Sequence, residues 1–306
     1  MGDMMKLLRE LCLTPAIPGR EKRIIDVVKR ELKKTTDKVE VDRIGNVIGV
    51  KKGIRKGAQK LMLAAHMDEI GFIVSSIEKN GFIRFSPRGG HVPRVLISQR
   101  VKIYGKKEII GVVEGSPPFL NKEEFLKAPE IKNLYIDTGL AEKEVNKIIE
   151  IGDMIVMDHP FIEQNDIMIS KAFDNRIGVY VLLEAMKKIK KSDVDIYAVG
   201  TTQEEVGIRG AFSFAQTISP DFGIALDVTA AFDLPGVPEH QQVTTLGGGT
   251  AIKINDSASI SNYGIVKLFQ KIAKKYKIKH QMEVLPFGGT DAAAIQKSGN
   301  CAIGTI

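Results

Sequence analysis

The sequence predicts an α/β fold interrupted by a mainly β domain, on three observations. Short apolar runs rich in β-branched residues alternate with amphipathic stretches of helical period, the pattern of a largely parallel sheet covered by helices. Several of these runs stop abruptly at an acid or a histidine. Between residues 71 and 165 the alternation gives way to closely spaced short strands punctuated by glycine and proline. A chain of 306 residues can form one large domain or two unequal ones around a substantial core.

In order, Met4–Leu13 carries apolar residues at helical spacing and halts at the Pro15–Gly19 segment. A second helix, about Glu21 to Lys33, turns Ile24, Ile25, Val27, Val28 and Leu32 inward. Val39–Val50 alternates around Gly45-Asn46, a hairpin signal. Leu61–Ala65 is a buried strand that ends in His66, with Asp68 two residues on. Imidazole at a strand end beside a carboxylate suits a metal ligand with a nearby orienting acid.

Gly81–Phe85, Arg100–Tyr104, Glu108–Val113, Leu134–Asp137 and Met154–Met157 read as strands of the inserted domain, with a helix over Ala141–Ile149. His91 and His159 within it read as structural or surface residues. The α/β pattern resumes at Ile167–Ser170. Asp174 precedes a helix from Arg176 to Lys188, where N-capping is the plain alternative to a metal role. Ile196–Val199 is a strand leading to Glu204-Glu205, and Phe222–Leu226 is another ending in Asp227. In open α/β sheets ligands gather beyond the carboxyl ends of strands. Phe287–Asp291 opens a helix over Ala292–Gln296. Gly288 and Gly289 there would let backbone approach a substrate, and Thr290 and Asp291 would cap the helix or contact that substrate.

Composition excludes several classes. Hydrophobic content of 43% with 26% charged residues argues against disorder, and no apolar run approaches a bilayer span. The absence of a signal-peptide pattern gives a cytoplasmic expectation. Cys12 and Cys301 lack partners at metal or redox spacing. The net charge of +7 comes without a nucleic-acid motif, so neither nucleic acid nor membrane is an expected partner.

His66–Gly71, Ala172–Gly178, Thr201–Gly207, Leu226-Asp227 and Gly288–Asp291, in this order and spacing, resemble the dinuclear metallo-aminopeptidases that assemble into tetrahedral dodecamers. These TET-like enzymes are called glutamyl or deblocking aminopeptidases and were formerly misnamed endoglucanases. The resemblance implies a phosphorylase/hydrolase-like α/β/α catalytic domain, residues 1–70 plus 166–306. It also implies an inserted β domain, residues 71–165, for oligomerisation and substrate access.

It further implies two divalent cations, zinc or cobalt with manganese the third option. His66 and Asp227 would bind one, Glu205 the other, and Asp174 would bridge. Asp68 would orient His66, and Glu204 would be the general base. The substrates would be peptides and the assembly a homo-oligomer, a dodecamer built from dimers. Two metals about 3.5–4 Å apart can clamp attacking and leaving oxygens.

The family pattern adds a histidine ligand shortly after the strand at Cys301–Gly304, whereas this sequence stops at Ile306 and neither His240 nor His280 occupies that place. A competing expectation is therefore a catalytically impaired assembly subunit. A glycosidase using Glu204 and Glu205 as acid and base is disfavoured, because adjacent residues of an extended strand point to opposite faces.

Overall fold

In the computed structural model, which describes residues 2–115 and 128–306, the chain divides into two units. One comprises Met1–Leu11, Lys22–Asp68 and Phe173–Ile306, and the other Cys12–Glu21 and Glu69–Ala172. The sequence boundaries at 70/71 and 165/166 thus shift slightly, and a short N-terminal segment joins the β unit. The reason is local: Ala16 and Glu69 are hydrogen-bonded, with Ala16 N–H donating to Glu69 Oε1 at 3.2 Å, and Ile17 packs with Met154 and Val156.

The first unit is built on a mixed sheet. Its strands are β1 (Lys38–Val41), β2 (Val47–Lys51), β3 (Lys60–His66), β12 (Asp195–Thr201), β13 (Phe222–Ala225), β14 (Thr250–Asn255), β15 (His280–Val284) and β16 (Ala302–Thr305). They lie in the order β1-β2-β12-β3-β13-β16-β14-β15. β12, β3, β13 and β16 run parallel, so their carboxyl ends share one edge. Helices α1 (Gly2–Leu13, through Leu11), α2 (Lys22–Leu32), α4 (Phe173–Lys188), α5 (Arg209–Ile218), α6 (Tyr263–Lys275) and α7 (Asp291–Ser298) complete the unit.

Alternation along the strands decides the layering. Ile48, Met62, Ala64, Val199 and Ile303 form one core with Phe214 of α5 and Ile295 of α7. Gly49 and Gly304, next in sequence and so facing the other way, abut Leu32 of α2 and Ile265 and Phe269 of α6. Truncating a fully buried member such as Ile48 or Ile295 to alanine costs about 2–5 kcal/mol.

The second unit is a closed barrel with strand order β4-β5-β8-β7-β6-β9: β4 (Gly71–Ile77), β5 (Ile83–Arg88), β6 (Arg100–Tyr104), β7 (Glu108–Glu114), β8 (Tyr135–Asp137) and β9 (Met154–Met157). Phe72, Ile83, Val101, Ile103, Val113 and Ile136 are among the side chains of its apolar core cluster. The short helix α3 (Glu142–Ile148) adds Val145, and β10 (Ile162–Gln164) pairs with β11 (Ile167–Ile169) as a separate hairpin. Closure removes the exposed edges that an open sheet of this size would present. His91 stacks on Phe72 with ring centroids 4.2 Å apart, and its Nε2–H donates to the Gly71 carbonyl at 2.9 Å. Among the described residues no helix is long and apolar enough to cross a membrane.

Candidate active site

β3 carries His66 at its end, in parallel register with Thr201 at the end of β12. His66 is 2% exposed. Its Nδ1–H donates to the Asp68 carbonyl at 3.2 Å, and Nε2 is directed at the neighbouring carboxylates. That nitrogen lies 3.0 Å from Asp174 Oδ1 and 4.0 Å from both Glu204 Oε2 and Asp227 Oδ1. One ligand atom from each of His66, Asp174 and Asp227 lies within 4.8 Å of the others.

Asp174 is not the helix cap. It and Asn175 depart from helical angles, and the Asn175 Oδ1 accepts from Gly178 N–H at 3.0 Å, while Asn175 Nδ2–H donates to the Leu226 carbonyl at 2.8 Å. Capping thus falls to Asn175, and the Asp174 carboxylate remains available to His66. Gly178 is required here, because a Cβ would lie 2.2 Å from Asn175 Oδ1 and 2.3 Å from the Leu226 carbonyl oxygen.

Asp68, fully buried, does more than face the imidazole. Its Oδ1 stands 3.7 Å from His66 Nδ1, but its two oxygens accept from the main-chain N–H groups of Glu204 and Glu205, each at 3.1 Å. Glu204 and Glu205 lie beyond β12 in a turn and not in extended strand. The turn closes through Gly207 and Ile208 N–H to the Glu204 carbonyl at 2.9 and 2.8 Å. Gln203 (φ 55°) and Ile208 (φ 54°) are left-handed there, each at a cost of about 1–3 kcal/mol, a strain that clusters at functional sites. The Glu205 side chain lies outside the three-residue donor group.

Of the glycine-loop residues, Gly288 is exposed and left-handed (φ 71°), and Gly289 is half-buried. Thr290 Oγ1 accepts from Ala292 N–H at 3.3 Å and caps α7. Asp291 is buried at 2% exposure and turned inward. Thr201 Oγ1–H donates to its Oδ2 at 2.6 Å, and its buried Oδ1 has no hydrogen-bond partner among the described residues.

Electrostatics bind the group together. Burial works against an imidazolium at His66, but Asp174, Asp68 and Asp227 outweigh it and raise the ring well above its ordinary value. Burial, reinforced by the neighbouring acids against the opposing pull of His66, pushes Glu204 up to about 9 and Asp227 up to about 8. Burial also raises Asp291, to about 6. The cluster holds more carboxylate than one imidazole can neutralise. A divalent cation fits this donor set, since hard oxygens with one imidazole nitrogen suit zinc, cobalt or manganese. His66, Asp174 and Asp227 are the residues that could hold it.

Asn175, Asn46 and Thr201 lie in segments singled out in the sequence, but their parts in this arrangement are visible only in the fold. Their long-range bonds span 51 to 164 residues; only the Asn175 cap and the Asn46–Asp42 bonds are local, and the cap is one the residue type could have suggested.

The model of the M42 glutamyl aminopeptidase family matches residues 45–305. The chain belongs to this family. A protein named as an aminopeptidase from Acetivibrio thermocellus is 41% identical over 294 residues, covering 96% of this chain and 86% of that protein. The solved aminopeptidase of the archaeon Desulfurococcus kamchatkensis superposes with a TM-score of 0.95 at 41% identity, over 100% of this chain and 86% of that one. The TET1 peptidase of Pyrococcus horikoshii, described as able to assemble into a tetrahedron or a large octahedral shell, gives 0.85 at 30% identity, over 99% and 90%.

Membership in the M42 family makes the chain a peptide hydrolase of the exopeptidase class, with the α/β catalytic fold and β insertion of its relatives. The alternative of an impaired assembly subunit finds no support in these relatives.

Proposed function

We propose that this M42 chain removes N-terminal residues from peptides by a metal-dependent reaction at the His66 cluster. The observation that carries the proposal is the convergence of His66 Nε2 with the Asp174 and Asp227 carboxylates, beside the buried Glu204. His66 and Asp227 are assigned to one cation, Glu205 to a second, and Asp174 to both. Zinc or cobalt are the ions of choice and manganese the third.

Bound there, the cations supply Lewis acidity, polarising the scissile carbonyl and acidifying water. Glu204 takes the proton from the attacking water and passes it to the leaving amine nitrogen, a role worth about 10²–10⁴ in rate. Without cations, burial and its acidic neighbours push the Glu204 carboxyl up to about 9; cations held beside it would favour the carboxylate and so leave it able to accept the proton. Asp68 fixes Glu204 and Glu205 through their main-chain N–H groups, and its carbonyl sets the His66 tautomer. Gly288 and Gly289 are assigned to the substrate backbone, and Thr290 and Asp291 to the support of that loop.

By analogy with the TET1 assembly, the chain forms a homo-oligomer, a dodecamer built from dimers, in the cytoplasm. The α/β unit, expected from the sequence at residues 1–70 and 166–306, is assigned to catalysis, and the β unit, expected at 71–165, to assembly and substrate access. The test is metal content after loading with cobalt or zinc, together with turnover of an amino-acid anilide panel on the same sample. Two ions per chain and turnover abolished in Glu204→Gln are expected; no bound ion and no turnover on any anilide overturn the proposal.

A further inference from the structure

The Gly45-Asn46 turn, which the sequence marks only as a hairpin connection, reaches the acidic loop. Asn46 is completely buried, and its side-chain amide touches both ends of the segment that carries Glu204 and Glu205. At the near end, Asn46 Oδ1 accepts from Thr202 N–H at 3.1 Å and lies 3.4 Å from Thr202 Oγ1. At the far end, Asn46 Nδ2–H donates to the Gly210 carbonyl at 3.0 Å. Its second N–H donates to Asp42 Oδ2 at 2.7 Å, and Asp42 Oδ1 in turn accepts from the main-chain N–H groups of Ile44, Gly45 and Asn46. A main-chain N–H can only donate and a carbonyl can only accept, so the partners fix which way the amide points.

The space between the two ends is closed as well. Gly210 N–H donates to the Thr202 carbonyl at 3.0 Å, and a Cβ on Gly210 would lie 2.3 Å from Asn46 Oδ1 and 2.5 Å from that carbonyl oxygen. Between these two anchor points lie the left-handed Gln203 and Ile208, conformations that persist only where the surroundings over-determine them. Asp68 holds the middle of the loop through the Glu204 and Glu205 N–H groups. Asn46 therefore braces the ends and Asp68 the crest.

We infer that Asn46 is a positioning residue for the aminopeptidase reaction: its buried amide ties together the two ends of the loop that presents Glu204 and Glu205. The inference rests on the proposed roles of those two glutamates. No other side chain of this size offers one acceptor and two donors in a plane. Aspartate keeps the shape but turns an acceptor toward the Gly210 carbonyl and Asp42.

Asn46→Asp tests this. With the fold retained by thermal melting, kcat is expected to fall about 10–100-fold with KM within about 2-fold, because a base displaced by about 1 Å loses alignment without losing substrate contacts. Zinc or cobalt affinity, measured by calorimetry, is expected to weaken about 10-fold through Glu205. Amide exchange over residues 202–210 is expected to accelerate while β3 stays protected.

If Asn46→Asp does not fold, Asp42→Ala carries the test, since it releases one arm of the amide at a partly exposed turn. Its expected kcat loss is about 3–10-fold, a fraction of the displacement effect. A folded variant with kcat within 2-fold of the parent and unchanged exchange over 202–210 overturns the inference. Should the parent itself turn over no anilide, the proposed function fails separately. Unchanged exchange and cation affinity in Asn46→Asp would then overturn the brace as well.

Discussion

Around His66, four carboxylates lie within 4.0 Å of one imidazole. Elsewhere in the same sheet, a second buried ionic group carries its own cation, with Asp256 Oδ2 lacking a hydrogen-bond partner among the described residues. Lys253 (2% exposed) pairs with Glu283 (2%) at 2.7 Å and lies 3.8 Å from Asp256 (5%). Thr229 Oγ1–H donates to Glu283 at 2.8 Å. Both clusters remove charge from water, which costs several kcal/mol per ion. The Lys253 cluster brings its own cation on a side chain. The His66 cluster is short of positive charge and open to an outside one. One contains a direct ion pair between side chains, the other a donor group that could hold an ion.

The comparison can be broken by removing one group from each. Glu204→Gln is expected to lower kcat by about 10²–10⁴ while leaving the metal-free protein equally or more stable, because it relieves a crowded acid. Lys253→Met should do the opposite to stability. Stranding Glu283 and Asp256 is expected to cost about 3–5 kcal/mol in urea unfolding, with about half or more regained in Lys253→Met/Glu283→Leu. Equal stability changes in the two single variants would erase the distinction.

Added zinc or cobalt at about 100 times its dissociation constant should stabilise the parent by about 2.7 kcal/mol. The same shift should survive in Lys253→Met and vanish in Asp227→Asn, as read by melting temperature.

The smallest effect belongs to a half-exposed group. Arg30 bonds Glu10 at 2.8 Å and Glu31 at 2.8 Å, and Lys34 also reaches Glu31. The Arg30 hydrogen bond holds Glu10 below its usual 4.5. Glu31 is held below it too, because Lys34 and Arg30 outweigh its burial. Both folded values lie below the unfolded ones, so the stabilisation is complete above pH 4.5 and is lost as pH falls through the folded values. Exposure and screening hold it to about 1 kcal/mol or less. The difference in melting temperature between parent and Arg30→Gln should therefore be small at pH 7 and disappear near pH 3.

The same contrast explains what the sequence made legible. β3, β12 and β13 keep their apolar residues inside and deliver polar ones only at their ends, so both the strands and His66, Glu204 and Asp227 stood out. β14 and β15 reverse that polarity. Lys253 and Glu283 are inside while Ile254 and Val284 are 38% and 55% exposed, so alternation pointed nowhere and residues 228–286 remained unassigned. The helix Tyr263–Lys275 went unread with them, although Asn262 is a well-formed cap accepting from Gly264 and Ile265 N–H. Asp68 and Asn46 act through partners more than 130 residues away, and no local pattern encodes such bonds. From the sequence, Asp291 at the opening of the glycine loop is expected either to cap the helix or to contact the substrate. Its inward turn depends on Thr201, which the fold alone brings there.

Asn175 joins the turn bearing Asp174 to the strand end bearing Asp227, with Gly178 leaving no room for slack between them. The two proposed ligands, 53 positions apart in sequence, are therefore expected to move as one rigid body. An arriving ion meets a seat whose shape does not wait on it, so capture is expected to run at the pace at which the ion sheds its hydration shell. Stopped-flow binding should then be a single concentration-dependent phase, with no slower step from chain rearrangement.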